Sequence, residues 1–187
     1  LYIDSPGGSA AASEAITAAL DELAQDRPVV ACFGSVAASG GYYIATPARW
    51  ILAQSTAVTG SIGVLVVKPA LDGLLRKFRL NPVAYQRGQN ADILSPASPF
   101  NDFQRDRMQS LIQGAYEQFT ERVAQSRKMS TEAVDAVGGG RVWTGAQALE
   151  NGLLDQFGGL YEAAIKAREL AGLPLDAPVM MMRDKSS

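Results

Sequence analysis

Histidine is absent from this chain of 187 residues, and cysteine occurs once. The first absence removes imidazole, the usual acceptor of a hydroxyl proton, so any serine nucleophile here needs another base, most naturally a neutral lysine. The second excludes an internal disulfide. Cys32 lies in the apolar run Val29-Val30-Ala31-Cys32-Phe33 and reads as a buried, unreactive thiol. No apolar run approaches the ~20 residues of a membrane span, and no signal peptide is visible. Charge of one sign is lacking too: 17 basic and 19 acidic residues leave a net charge of −2, which gives no case for nucleic acid or an acidic membrane surface. No metal or cofactor is expected.

What is present is an alternation of short apolar runs and amphipathic stretches, the pattern of an α/β domain. With 47% hydrophobic residues and no repeat or linker, residues 1–187 read as a single domain. The sequence opens in mid-strand without a methionine, so the chain is expected to be a piece of a longer protein that carries any anchor or partner domain. Strands are expected at 1–3, 29–33, 50–53 and 64–67, with a further one at 83–85. Residues 180–182 read either as a final strand or as a frayed tail. Residues 4–8 and 34–38 read as loops. A helix over 9–24 has Ala12, Ile16, Leu20 and Leu23 on one face. A second begins at Ser39, and Leu71, Leu74, Leu75 and Phe78 mark a third. The longest runs over 102–127, capped by Asn101 with Gln104 and striped by Met108, Leu111, Ala115, Phe119 and Val123. Shorter helices follow Ser130 and Thr144, Asn151-Gly152 ends the latter with a left-handed cap, and the last helix covers 160–171.

Acyl transfer needs a nucleophile, a proton acceptor and donors for the oxyanion. Ser39, in Ala37-Ala38-Ser39-Gly40-Gly41-Tyr42-Tyr43, has the small neighbours of an exposed nucleophile at a strand-to-helix turn. The Gly40 N–H is a natural oxyanion donor, and the turn Ser5-Pro6-Gly7-Gly8 can offer a second N–H from another segment. The base is the difficulty. Of the lysines, 77, 128 and 166 lie at solvated helix positions and 185 lies in the tail. Lys68, after the strand at 64–67, is the one internal candidate, but it reads first as a solvated strand end.

Together with Thr59-Gly60-Ser61-Ile62-Gly63, Gly140-Arg141-Val142-Trp143-Thr144-Gly145 and Asn151-Gly152-Leu153-Leu154-Asp155, these motifs resemble, in order and over nearly the whole chain, the bacterial signal peptide peptidase family, also called protease IV. The resemblance implies a caseinolytic-protease/crotonase-like fold of repeated β-β-α units. It implies a serine–lysine dyad that cuts leftover signal peptides, and a membrane-anchored, ring-forming protein facing the periplasm or cell exterior. By the same resemblance Ser39 is the nucleophile, Gly40 with Gly7 or Gly8 forms the oxyanion hole, and Ser61 orients the lysine, though Ser61 also reads as a plain turn serine.

One departure matters. Short family members keep their lysine just before the aspartate of the segment Arg87-Gly88-Gln89-Asn90-Ala91-Asp92, and here that position is Ala91. The long, tandem-repeat members place the lysine in the N-terminal repeat and the serine in the C-terminal one, so this chain resembles the serine-bearing half. Alone it should be nearly inert. The partners expected are a peptide substrate, the lysine-bearing repeat and further copies of the chain. Two other readings stand beside this one. A non-catalytic, peptide-binding or ring-forming member would suit Ala91 if the chain were complete. An acyl-CoA enzyme of the crotonase type is disfavoured by the Ser39 motif and by the lack of a basic cluster for the CoA phosphates.

Overall fold

In chain order the elements are β1 (Tyr2–Ser5), α1 (Ala10–Asp26), β2 (Val30–Ala38), α2 (Gly40–Tyr43), β3 (Trp50–Ala53), β4 (Val58–Gly60), α3 (Asp72–Lys77), α4 (Asp102–Arg127), α5 (Thr131–Val137), β5 (Val142–Thr144), α6 (Gly145–Glu150), β6 (Gln156–Phe157) and α7 (Leu160–Ala171). These come from a computed structural model that describes residues 1–83, 85–180 and 182. The chain divides into two compact units, Leu1–Gly63 with Gln118–Ser187, and Val64–Glu117. The class is mixed α/β.

The first unit is built on a six-stranded sheet in the order β5-β4-β2-β3-β6, with β1 also paired to β2. Every pairing is parallel except β4 with β5. The apolar run expected as a strand is the hub. Successive side chains of a strand point to opposite faces. Accordingly Ala31 and Phe33 enter the main core with Tyr42, Ile51 and Val123, while Val30 and Cys32 enter a second cluster with Leu52 and Ala163. Burial on both faces explains why the run is apolar throughout. Each fully buried large side chain of this kind stabilises the fold by roughly 1.5–3 kcal/mol.

Residues 34–38, expected to be a loop, are the second half of β2. Their glycine and serine form an irregularity instead: the β1–β2 register slips between Ile3↔Phe33 and Ser5↔Ala37, and the Asp4 carboxylate accepts the Val36 N–H at 3.0 Å. The strand then re-pairs, with Val36, Ala37 and Ala38 opposite Val58, Thr59 and Gly60 of β4. This extension carries β2 up to Ser39.

The face that α1 buries also differs from expectation. Ile16 and Leu23 are exposed, and Ser13 and Thr17 are buried. Their hydroxyls return to the helix's own backbone, Thr17 Oγ1 donating to the Ser13 carbonyl at 2.7 Å and Ser13 Oγ to the Ser9 carbonyl at 3.1 Å. Self-satisfied hydroxyls can be buried at little cost. Ser9 caps the helix by accepting the Ala12 N–H.

α4 has the expected bounds, and Asn101 and Gln104 exchange their capping bonds at 2.8 and 3.3 Å. Its stripe is buried only toward the C-terminal end, at Phe119 and Val123, whereas Leu111 is exposed. The Thr144–Gln147 capping box, the Ser130 cap and the positive φ of Gly152 all form as expected.

In the second unit no strand forms at 64–67, where Leu65 and Val67 are both 80% exposed. Four apolar residues with no paired neighbour satisfy no ladder, and the chain instead turns toward α3, with the Leu71 N–H on the Pro96 carbonyl at 2.8 Å. α3 is short and none of its residues is buried. The strand expected at 83–85 includes Ala84, and residues 180–182 include Met181. Both residues, like Lys185, lie outside the described residues.

Candidate active site

Ser39 stands where β2 ends and α2 begins. Its N–H donates to the Gly60 carbonyl at 2.9 Å, continuing the β2–β4 ladder by one rung, while its own carbonyl accepts the Tyr43 N–H at 2.9 Å and so opens the helix. Satisfying both neighbours forces the backbone to φ 52°, ψ −121°. A side chain held in so sparsely populated a region costs on the order of 1–3 kcal/mol and persists where surrounding contacts over-determine it. The sharp turn leaves Ser39 half-buried with no capping bond from its side chain. Gly40 is the first residue of α2, so its N–H has no carbonyl within the helix to reach.

The turn after β1 is laid directly on this elbow. A Cβ on Gly7 would lie 2.7 Å from Gly40 N, 2.8 Å from Ser39 Cβ and 2.9 Å from the Ala38 oxygen, and Gly7 has φ +100°. A Cβ on Gly41 would lie 2.4 Å from the Ser5 oxygen. Glycine is therefore required on both sides of the contact. The two glycines of the turn are not equivalent: the Gly7 N–H is given to Ser5 Oγ at 3.2 Å. Gly8 is exposed, with nothing within 4 Å of where a Cβ would stand; its N–H has no partner among the described residues, and its nitrogen lies 3.4 Å from where a Gly40 Cβ would stand.

The Thr59-Gly60-Ser61 motif joins the same place through the sheet. Thr59 Oγ1 donates to the Ala37 carbonyl at 2.6 Å, Gly60 pairs with Val142, and Trp143 packs so close that a Gly60 Cβ would meet its ring at 2.8 Å. Ser61 follows with φ 49°, its N–H on the Arg141 carbonyl at 2.7 Å. Ser39, Gly40, Gly7, Gly8 and Ser61 are thus brought to one end of the sheet. The Asn151–Asp155 motif lies beneath: Tyr42 donates to the Leu153 carbonyl at 2.9 Å, and Arg127 makes a two-pronged bond to Asp155 at 2.9 and 2.7 Å.

A polar brace that no local motif announces stands behind the elbow. Tyr43 donates to the Glu14 carboxylate, its ring lies edge-on to Phe119 at 5.0 Å, and the Arg122 guanidinium covers it at 5.6 Å while pairing with Asp21. Burial, with the Glu14 hydrogen bond and charge behind it, pushes the Tyr43 phenol up to about 12. Ser13 is missed for a similar reason: a Cβ on Gly40 would meet its Oγ at 2.5 Å. A polar residue between apolar ones reads as the solvent face of a helix, and only the fold shows that this face looks at the elbow.

The candidate bases are placed as follows. Ala91 is exposed in a chain of turns, its N–H on the Gly88 carbonyl. Lys77 and Lys128 are exposed, as expected. Lys166 is not solvated: its side chain is 17% exposed and its Nζ lies 4.1 Å from the centre of the Trp50 ring, with Glu169 at 2.9 Å. Nor is Lys68 a solvated strand end. Its Nζ is buried, has no hydrogen-bond partner among the described residues, and lies 4.4 Å from the centre of the Phe100 ring within the second unit. Aromatic faces attract cations, which accounts for both positions. Cys32 is free and buried, and burial pushes its thiol up. Among the described residues no group of three His, Cys, Asp or Glu side chains could hold a metal, and no helix is long and apolar enough to cross a membrane.

Residues 21–174 match Peptidase family S49. The chain is 38% identical over 183 residues to the chloroplastic serine protease SPPA of Arabidopsis thaliana, covering 97% of this chain and 27% of that protein. It is 37% identical over 183 residues to Protease 4 of Haemophilus influenzae (96% and 29%) and 40% identical over 174 residues to Protease 4 of Salmonella typhi (92% and 28%). This chain therefore belongs to peptidase family S49, the protease IV or signal peptide peptidase group. It spans less than a third of the length of each of these relatives.

Proposed function

We propose that this chain is the serine-bearing part of a serine endopeptidase whose lysine base comes from another repeat or subunit. In the proposed reaction Ser39 Oγ attacks the scissile carbonyl and its proton passes to the lysine amine. The oxyanion is held by the N–H groups of Gly40 and Gly8, with Gly7 shaping the approach. The lysine returns the proton to the leaving amine, and a water then hydrolyses the acyl-enzyme by the same route. Ser61 acts as the hydroxyl that orients the lysine. The observation that carries the reading is the packing of Gly7 on Ser39 and Gly40, which joins a strained serine to a second loop whose Gly8 N–H has no partner among the described residues.

The finer features follow from the resemblance. The substrate is an extended apolar peptide, such as a spent signal peptide, taken up as an added strand. The fold is of the caseinolytic-protease/crotonase kind. The parent protein is anchored to the bacterial cytoplasmic membrane, faces the periplasm or exterior, and assembles from several copies. A non-catalytic, peptide-binding role is favoured by one observation, the methyl group of Ala91 where short members hold their base.

A serine-directed fluorophosphonate tests the choice. The lysine-bearing parent protein should be labelled at Ser39 and cleave apolar peptides, Ser39→Ala should do neither, and the isolated chain should be nearly inert. Undiminished cleavage by Ser39→Ala would sink the proposal. Ala91→Lys in the isolated chain should restore part of the labelling.

A further inference from the structure

The face of α1 that meets the elbow is polar, and one of its residues touches the candidate oxyanion donors. Ser13 is buried, 9% exposed, and its hydroxyl proton is committed to the Ser9 carbonyl at 3.1 Å. The oxygen is thereby fixed on a helix that is itself held by its Ser9 cap and by Glu14 on Tyr43. That fixed oxygen occupies the space over Gly40: a Cβ there would come within 2.5 Å of Ser13 Oγ, and within 3.4 Å of both Gly7 Cα and Gly8 N. The place a Gly40 Cβ would take is thus hemmed in by Ser13 Oγ together with Gly7 Cα and Gly8 N.

We infer that Ser13 is a positioning residue for the oxyanion hole, its hydroxyl oxygen acting as the spacer that holds Gly40 at the right distance from Gly8. The inference rests on the peptidase reading above and goes beyond it, because that reading gives Ser13 no part in the reaction. An oxyanion hole works only when its donors are fixed before charge develops, and displacements of about an ångström are enough to lose most of the effect. Removing the oxygen frees Gly40 to shift, while adding a methyl to Gly40 with the oxygen in place forces it to shift.

The test is a double-mutant cycle in the lysine-bearing parent protein, with kcat and KM for an apolar peptide and a thermal melt for each variant. Ser13→Ala should lower kcat about tenfold with KM within roughly twofold of wild type. A purely structural role would lower the melting temperature and leave kcat per folded molecule alone. Gly40→Ala should lose nearly all activity, and Ser13→Ala/Gly40→Ala should recover to near the Ser13→Ala level, because the new methyl takes the place of the lost oxygen. Wild-type kcat in Ser13→Ala, or no recovery in a folded double variant, overturns the inference. Should Gly40→Ala fail to fold, the kcat and KM of Ser13→Ala decide alone. Ser39→Ala in parallel separates the two ideas: its retained activity defeats the peptidase reading and this inference with it, whereas an inactive Ser39→Ala beside an unaffected Ser13→Ala defeats the spacer alone.

Discussion

Ser39 and Ser61 leave neighbouring parallel strands at the same level. Ala38 pairs with Gly60, the Ser39 N–H reaches the Gly60 carbonyl, and both serines hold positive φ, 52° and 49°. Ser39 holds a backbone conformation that side chains rarely adopt, so the backbone should gain when the side chain is removed. Ser39→Gly should raise stability by about 1 kcal/mol, relief of strain outweighing the extra freedom of glycine in the unfolded chain. Chemical denaturation measures this, and a destabilised Ser39→Gly would contradict it.

The two glycines of the β1 turn should respond differently. Gly7→Ala drives a methyl into Gly40 and Ser39 as well as straining φ, and should cost about 3 kcal/mol or more. Gly8→Ala meets open space and pays only for its φ of +152°, about 1–2 kcal/mol. Equal losses in parallel urea titrations would argue that the turn does not rest on the elbow.

Two ion pairs invite the opposite contrast. Arg127–Asp155 is largely buried, and Asp155 also accepts the Ile51 N–H at 2.7 Å. Asp155→Ala leaves a buried guanidinium and a backbone donor unpaired and should cost about 3–5 kcal/mol. Asp21→Ala removes the half-exposed partner of Arg122 and should cost no more than about 1 kcal/mol. Melting curves of the two variants decide whether burial ranks them.

Alkaline pH probes the brace behind the elbow. The Tyr43 phenol is raised in the folded chain, so the fold binds its proton more tightly than the unfolded state does. Its contribution is complete below the ordinary phenol range near 10 and is lost as pH rises toward about 12. Stability should therefore fall across that window, and the fall should be shallower in Tyr43→Phe. An ultraviolet titration should show Tyr43 ionising late.

Much of this site was legible in the sequence because its parts are backbone devices. Glycines at 7, 40 and 60 and a serine between small residues mark turns whose geometry few other residues permit, and the helix caps at Asn101, Ser130 and Thr144 are local signals of the same sort. Illegible parts depend on what lies across the fold. Gly34 and Ser35 look like a loop until Asp4 and β4 supply the missing pairings. Ser13 and Thr17 look solvated until their hydroxyls are seen to satisfy the helix itself. Lys68 and Lys166 look solvated until aromatic rings cover them. The run 64–67 looks like a strand, but apolar composition without a partner does not make one.

The antiparallel pairing of β4 with β5 joins Val58 to Thr144, and the Ser61 turn is pinned to Arg141. During synthesis, residues 1–60 can emerge and pair among themselves long before that partner exists. Contacts so distant along the chain form late, after a large loop-closure cost has been met. The ribosome must therefore release most of this polypeptide before the second serine is fastened beside the first. A nascent chain carries Ser39 early and gains the strand that fastens Ser61 last.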